Sequence, residues 1–87
     1  MSITVEFYGI PRERAGVSTA RVEAAQLGQV LRALASSYPR LEETCLMGGS
    51  LRPGYIASVN GRHFATDPTT PLQPGDVLLI FSADAGG

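Results

Sequence analysis

Hydrophobic and polar positions alternate at the start of the chain. Ile3, Val5 and Phe7 share one face of residues 2–8, and Thr4, Glu6 and Tyr8 share the other. A period of two with β-branched and aromatic residues predicts a strand. Gly9, Pro11 and Gly16 punctuate the next stretch as a loop, with Arg12, Glu13 and Arg14 in solvent. Residues 18–23 read as a second strand, so the pair forms a hairpin with a long turn. The period then changes. Leu27, Val30, Leu31, Leu34, Ala35 and Tyr38 fall on one stripe of a helix of about three turns. Pro39 ends it, because the residue before a proline disfavours helical geometry. Gln26 stands where Ser, Thr or Asp would make a good cap, so the start is weakly marked.

Residues 39–53 show no clean period. Leu41, Leu46, Met47 and Leu51 can pack inward, whereas Gly48-Gly49-Ser50 and Pro53-Gly54 are loop chemistry. Residues 55–59 are strand-like, and Asn60-Gly61 follows as a hairpin signal, since a type I′ turn needs positive φ at both central residues. Residues 62–65 form the return strand, and residues 77–81 the last strand, entered through the turn Gln73-Pro74-Gly75-Asp76. The order strand, strand, helix, strand, short strand, strand predicts an α+β fold. Its mixed sheet packs on one main helix, with the first and last strands side by side at the centre: the β-grasp arrangement. The division expected is a domain over residues 1–82 and a flexible tail over 83–87. Both faces of the last strand are apolar, with Val77, Leu79 and Phe81 on one and Leu78 and Ile80 on the other. Either residues 39–54 cover the second face or part of it is left for a partner.

Composition narrows the choice. With 87 residues, 44% of them hydrophobic and 17% charged, the chain suits one domain with one modest core. The net charge is −1, and the seven basic residues are all Arg. This gives neither a basic stripe for nucleic acid nor a polybasic membrane anchor. The longest apolar run, residues 77–81, is too short to span a bilayer, and no signal peptide is read at the start. The single Cys45 suits a reducing compartment, so a cytoplasmic location is expected. His63 has no neighbouring ligands in sequence and reads as structural or exposed rather than metal-bound. Cys45 reads as a small buried hydrophobe. Glu42 and Glu43 are adjacent and diverge, and no Lys follows Gly48-Gly49-Ser50 to make a phosphate loop. No catalytic site of the chain's own and no bound cofactor are expected.

The remaining candidate is the C-terminal end. Ala85-Gly86-Gly87 lies a few residues beyond an apolar strand. Glycine has no Cβ, so Gly-Gly makes the thinnest tail a polypeptide can present to a narrow channel. The handle of Gly87 would be its main-chain carboxylate, which is unreactive until a poor leaving group is exchanged for AMP. That step needs a second enzyme with ATP and Mg²⁺.

In these features the sequence resembles the ubiquitin-like sulfur-carrier family, most closely its molybdopterin synthase small-subunit branch. The first strand Ile3 to Tyr8, the helix Leu27 to Tyr38, Val59-Asn60-Gly61, the segment Thr70-Pro71-Leu72-Gln73-Pro74-Gly75-Asp76, and the stretch from Ile80-Phe81 to Ala85-Gly86-Gly87 carry the likeness. The resemblance implies a cycle. A ubiquitin-activating-type adenylating enzyme activates the Gly87 carboxylate, and a sulfur donor converts it to a thiocarboxylate. Gly86 and Ala85 thread the tail into an acceptor enzyme, and an apolar face containing Phe81, Ile80 and Leu78 docks on that partner. In the molybdopterin branch the acceptor is the large synthase subunit, in a heterotetramer. Ser82, Ala83 and Asp84 stand where that family often has proline or apolar residues. The acceptor therefore stays open between the molybdenum cofactor and the thiamine, cysteine, methionine or siderophore-type pathways. A ubiquitin-like protein modifier, forming an isopeptide through Gly87, is the alternative use of the same residues.

Overall fold

The computed structural model describes residues 2–83, so Asp84, Ala85, Gly86 and Gly87 lie outside the described residues. In chain order the elements are β1 (Ser2–Phe7), α1 (Ile10–Ala15), β2 (Thr19–Glu23), α2 (Leu27–Ser37), α3 (Pro39–Cys45), β3 (Leu46–Met47), β4 (Ser50–Leu51), β5 (Tyr55–Val59), β6 (His63–Ala65) and β7 (Val77–Ser82). Five strands form a mixed sheet in the order β2-β1-β7-β5-β6. β1 runs antiparallel to β2 and parallel to β7, and β5 runs antiparallel to both β7 and β6. The first and last strands are adjacent at the centre, as the element order predicts.

The alternation of β1 decides which face is inside. Ile3, Val5 and Phe7 are buried, and the register sets Val5 beside Leu78 and Phe7 beside Ile80. Directly paired residues point to the same face, so Leu78 and Ile80 join the β1 apolar set. This layer packs on the stripe Leu27, Val30, Leu31 and Leu34 of α2. Phe7 meets Tyr38 edge-on, with ring centroids 6.0 Å apart and planes at 73°. Leu41 and Cys45 of α3 and Leu46 of β3 enter the same core. Residues 39–54 therefore sit on the helix side and leave the second face of β7 uncovered.

Three segments differ from the sequence expectations. Residues 10–15, expected as loop, form α1. Pro11 lies in its first turn, and Gly16 closes it at φ 79° with its N–H donating to the Arg12 carbonyl. Pro inside the start and Gly past the end of a helix are its usual marks, but six residues are too few to show a period. Residues 39–45 form α3: Pro39 ends α2 and also starts the next helix, where its missing N–H costs nothing. Residues 46–51 make the small β3–β4 hairpin, which leaves Met47 exposed rather than packed inward.

The weakly marked start of α2 is satisfied partly from elsewhere in the chain and partly by Gln29 in its own first turn. The Leu27 N–H donates to the Thr70 carbonyl at 3.0 Å, and the Gly28 N–H donates to the Pro68 carbonyl at 2.8 Å. Gln29 Oε1 accepts from the amides of Ala25 and Gln26 at 2.8 and 3.2 Å. Gly28 lets the two segments approach closely: a Cβ would lie 3.0 Å from Pro68 Cβ and 3.1 Å from its carbonyl oxygen, so the 68–70 segment would have to give by a few tenths of an ångström.

The Asn60-Gly61 turn is as the sequence predicts, with φ of 56° and 68° and the Arg62 N–H donating to the Val59 carbonyl at 3.0 Å. Its Asn60 side chain ties the turn to the entry of β7. The Asn60 amide donates to Asp76 Oδ1 at 3.0 Å, and its oxygen accepts from the Val77 N–H at 2.8 Å. Asp76 Oδ2 accepts from the Gln73 N–H at 2.8 Å. The Gln73 amide, and then the Asn60 amide, hold the Asp76 carboxyl below its ordinary range. A depressed folded-state pKa contributes stability that is fully present above the unfolded value of about 3.9 and is lost as pH falls through the folded value. Unfolding free energy from urea titrations should therefore drop as pH is lowered below about 4. Asp76→Asn should flatten that drop, and a slope identical to the wild type would show that the clamp contributes nothing to it.

Candidate functional site

β7 is laddered on both sides, to β1 over Val77 to Ile80 and to β5 over Leu78 to Ser82. Leu78 and Ile80 have no exposed surface. The expectation that they dock on a partner is corrected: they are core residues under α2, and a partner cannot touch them without unfolding the sheet. Of the three residues expected on the docking face, Phe81 alone reaches the open side, where it is half-buried with Val77 and Leu79.

The register builds the rest of that open face. Ile56 is paired with Phe81, and Ser58 with Leu79 on one side and Phe64 on the other. The rings of Phe64 and Phe81 lie 6.5 Å apart at 55°, and Phe64 is 66% exposed. On the far side of β7, Tyr8 is 46% exposed and its hydroxyl donates to Glu6 Oε1 at 2.5 Å. Ile56, Phe64, Tyr8 and Glu6 were not singled out from the sequence. Carrying the alternation of residues 55–59 across a two-residue Asn60-Gly61 turn would set Ser58 opposite His63; the connection holds three residues, 60–62, and that shift sets Ser58 opposite Phe64.

This face leads to the point where the chain leaves the sheet. Ala83, assigned by sequence to the tail, is still tied, its N–H donating to the Gly54 carbonyl at 2.7 Å. The expected reactive and threading residues Gly87, Gly86 and Ala85 lie outside the described residues.

Interior groups offer little competing chemistry. Cys45 is buried, and that burial pushes its thiol up, offset only in part by a hydrogen bond with Tyr55 and the charges of Arg14 and Arg52. A thiol held protonated is a poor nucleophile. Arg52 reaches Glu42 with its guanidinium 3.8 Å from the carboxylate, and Arg52 Nε donates to the Glu42 carbonyl at 3.3 Å. His63 is exposed on the edge strand. Among the described residues no three His, Cys, Asp or Glu side chains come together to hold a metal, and no helix is long and apolar enough to cross a membrane.

The mixed five-stranded sheet, with its doubly laddered last strand and its helices on one face, has the β-grasp fold of the ubiquitin-like sulfur carriers. The sequence model of the ThiS family matches residues 5–87, and the chain belongs to that family. SAMP1 from Haloferax volcanii, a small archaeal modifier protein, is 28% identical over the full length of both chains with a TM-score of 0.82. Two further structures share the fold. The complex of subunits 1 and 2 of the molybdopterin-converting factor from Helicobacter pylori contains a chain 23% identical, covering both chains fully, with a TM-score of 0.69. The BexX/CysO complex of Amycolatopsis orientalis contains one 20% identical, covering 98% of this chain and 99% of that one, with a TM-score of 0.78. No curated protein sequence matches the chain.

The division of β7 into two faces has a direct test. Leu78→Ala should lower the unfolding free energy by about 2–5 kcal/mol, as for other fully buried leucines. Phe81→Ala, at a half-buried position, should cost less than about 3 kcal/mol. Equal losses in chemical denaturation would contradict the assignment of Leu78 to the core and Phe81 to the open face.

Proposed function

We propose that the chain is a sulfur carrier for molybdenum-cofactor biosynthesis, working through the α-carboxyl of Gly87. The observation that carries this reading is the family match over residues 5–87, on a fold whose open sheet face is apolar around Phe81 and Phe64. In the cycle, the Gly87 carboxylate attacks the α-phosphorus of ATP on a separate adenylating enzyme that also binds Mg²⁺, and pyrophosphate leaves. A sulfur donor then displaces AMP from the acyl-adenylate and leaves a thiocarboxylate. Sulfur is the better nucleophile at neutral pH, and its transfer to the acceptor followed by hydrolysis restores the carboxylate. The carrier's own part is to present the tail and to dock. Gly86 and Ala85 give a tail thin enough to enter the partner's active site, and Phe81 with its open-face neighbours supplies the apolar contact. The proposed acceptor is the large subunit of molybdopterin synthase. Two of the similar structures are complexes of a β-grasp chain with another protein, which supports a docking role.

A second reading has its own support. The likeness to a small archaeal modifier protein favours an isopeptide link from Gly87 to a Lys of another protein. One experiment separates the two. The chain is incubated with a ubiquitin-activating-type adenylating enzyme from its own organism, ATP, Mg²⁺ and a sulfide source, and intact mass is read. The carrier reading expects one oxygen replaced by sulfur, and expects deletion of Gly86 and Gly87 to abolish the change. Reductant-resistant adducts to other proteins, with no thiocarboxylate formed, would favour the modifier.

A further inference from the structure

The open face is apolar around β5, β6 and β7, but one carboxylate stands at its centre. Glu6 lies on β1 directly beside Leu79. With Val77, Leu79, Asn60 and Gly61 it lines a notch of about 310 Å³, and it is the sole ionisable side chain there. Its Oε1 accepts from the Tyr8 hydroxyl, and among the described residues no basic side chain pairs with it. Arg21, one strand away beside Thr4, has its guanidinium engaged with Ser2 Oγ at 3.0 and 3.2 Å.

This arrangement constrains what can cover the face. An uncharged apolar surface laid over Val77 and Leu79 would strip water from the Glu6 carboxylate and give nothing back, and burying an unpaired charge is strongly unfavourable. A Lys or Arg side chain solves both problems. Its aliphatic stem lies along the apolar floor while its charged head reaches the carboxylate. The Tyr8 hydroxyl occupies Oε1 and leaves Oε2 free to accept.

Resting on the carrier reading, we propose that Glu6 is a specificity-determining residue of the docking face. It receives a Lys or Arg from the ubiquitin-activating-type adenylating enzyme that activates the tail, seated in the notch over Val77 and Leu79. Apolar contact around Phe81 supplies adhesion, and the Glu6 pair selects partners that carry a cation at that spot.

The test measures ATP–pyrophosphate exchange by the ubiquitin-activating-type adenylating enzyme of the same organism, with the wild-type chain, Glu6→Gln and Arg21→Gln as substrates. Glu6→Gln keeps the shape and removes the charge. It should raise the KM for the carrier about tenfold or more while leaving kcat unchanged, the signature of lost docking. Arg21→Gln should leave KM within about twofold, as expected for an exposed charge outside the contact. Added salt should raise the wild-type KM and leave that of Glu6→Gln nearly constant. Urea unfolding of Glu6→Gln should match the wild type. Should Glu6→Gln be exchanged with wild-type KM, the proposal is overturned while the carrier reading stands. Should the notch instead hold a second copy of the chain, sedimentation would show wild-type dimers lost in Glu6→Gln, which also overturns it. No exchange with the wild-type chain overturns the carrier reading itself, and the proposal with it.

Discussion

The parallel pairing of β1 with β7 is the constraint from which the rest of the molecule follows. A parallel neighbour cannot be reached by a tight turn, so the chain between these strands must cross over and cover one face of the sheet, and α2 with α3 does so. Pairing β5 on the other side of β7 then places the last strand in the sheet interior, with ladders on both edges. The C-terminal end therefore leaves from a firmly held strand, tied as far as Ala83 by its bond to Gly54.

The same strand divides the chain's apolar material between stability and recognition. Full burial of a Leu or Ile contributes about 1.5–3 kcal/mol, and Leu78 and Ile80 spend that on the core. Val77, Leu79 and Phe81 keep part of their surface in water, with Ile56 and Phe64 alongside. A sheet with helices on one side only leaves such a surface on the other, and apolar patches of this kind mark interaction sites. Charge is sparse on this half of the face, so the Glu6 carboxylate stands out against it. The Arg52–Glu42 pair, by contrast, lies on the helix side and is partly exposed, where ion pairs contribute little.

Much of the molecule could be read from the amino-acid order because single elements declare their own period. Four stripe positions of α2 are buried as the helical spacing requires, and the alternation of β1 sorts Ile3, Val5 and Phe7 from Thr4, Glu6 and Tyr8. Asn60-Gly61 makes the turn its chemistry demands, and the Gly-Gly end pointed to the family. These are local signals, set by backbone sterics and by the repeat of the side chains.

Other features needed contacts between distant residues. α1 and α3, at six and seven residues, are too short for a period to appear and are held by the core they pack on. The start of α2 looked uncapped because the Leu27 and Gly28 amides find their partners in the carbonyls of Thr70 and Pro68, some forty residues away. The faces of β7 are both apolar, so its sequence cannot say which one is inside. Only the register with β1, setting Leu78 against Val5 and Ile80 against Phe7, buries those two and turns Phe81 outward. A chain's pattern determines which residues share a face; which face meets water is decided by the strands and helices that pack beside it.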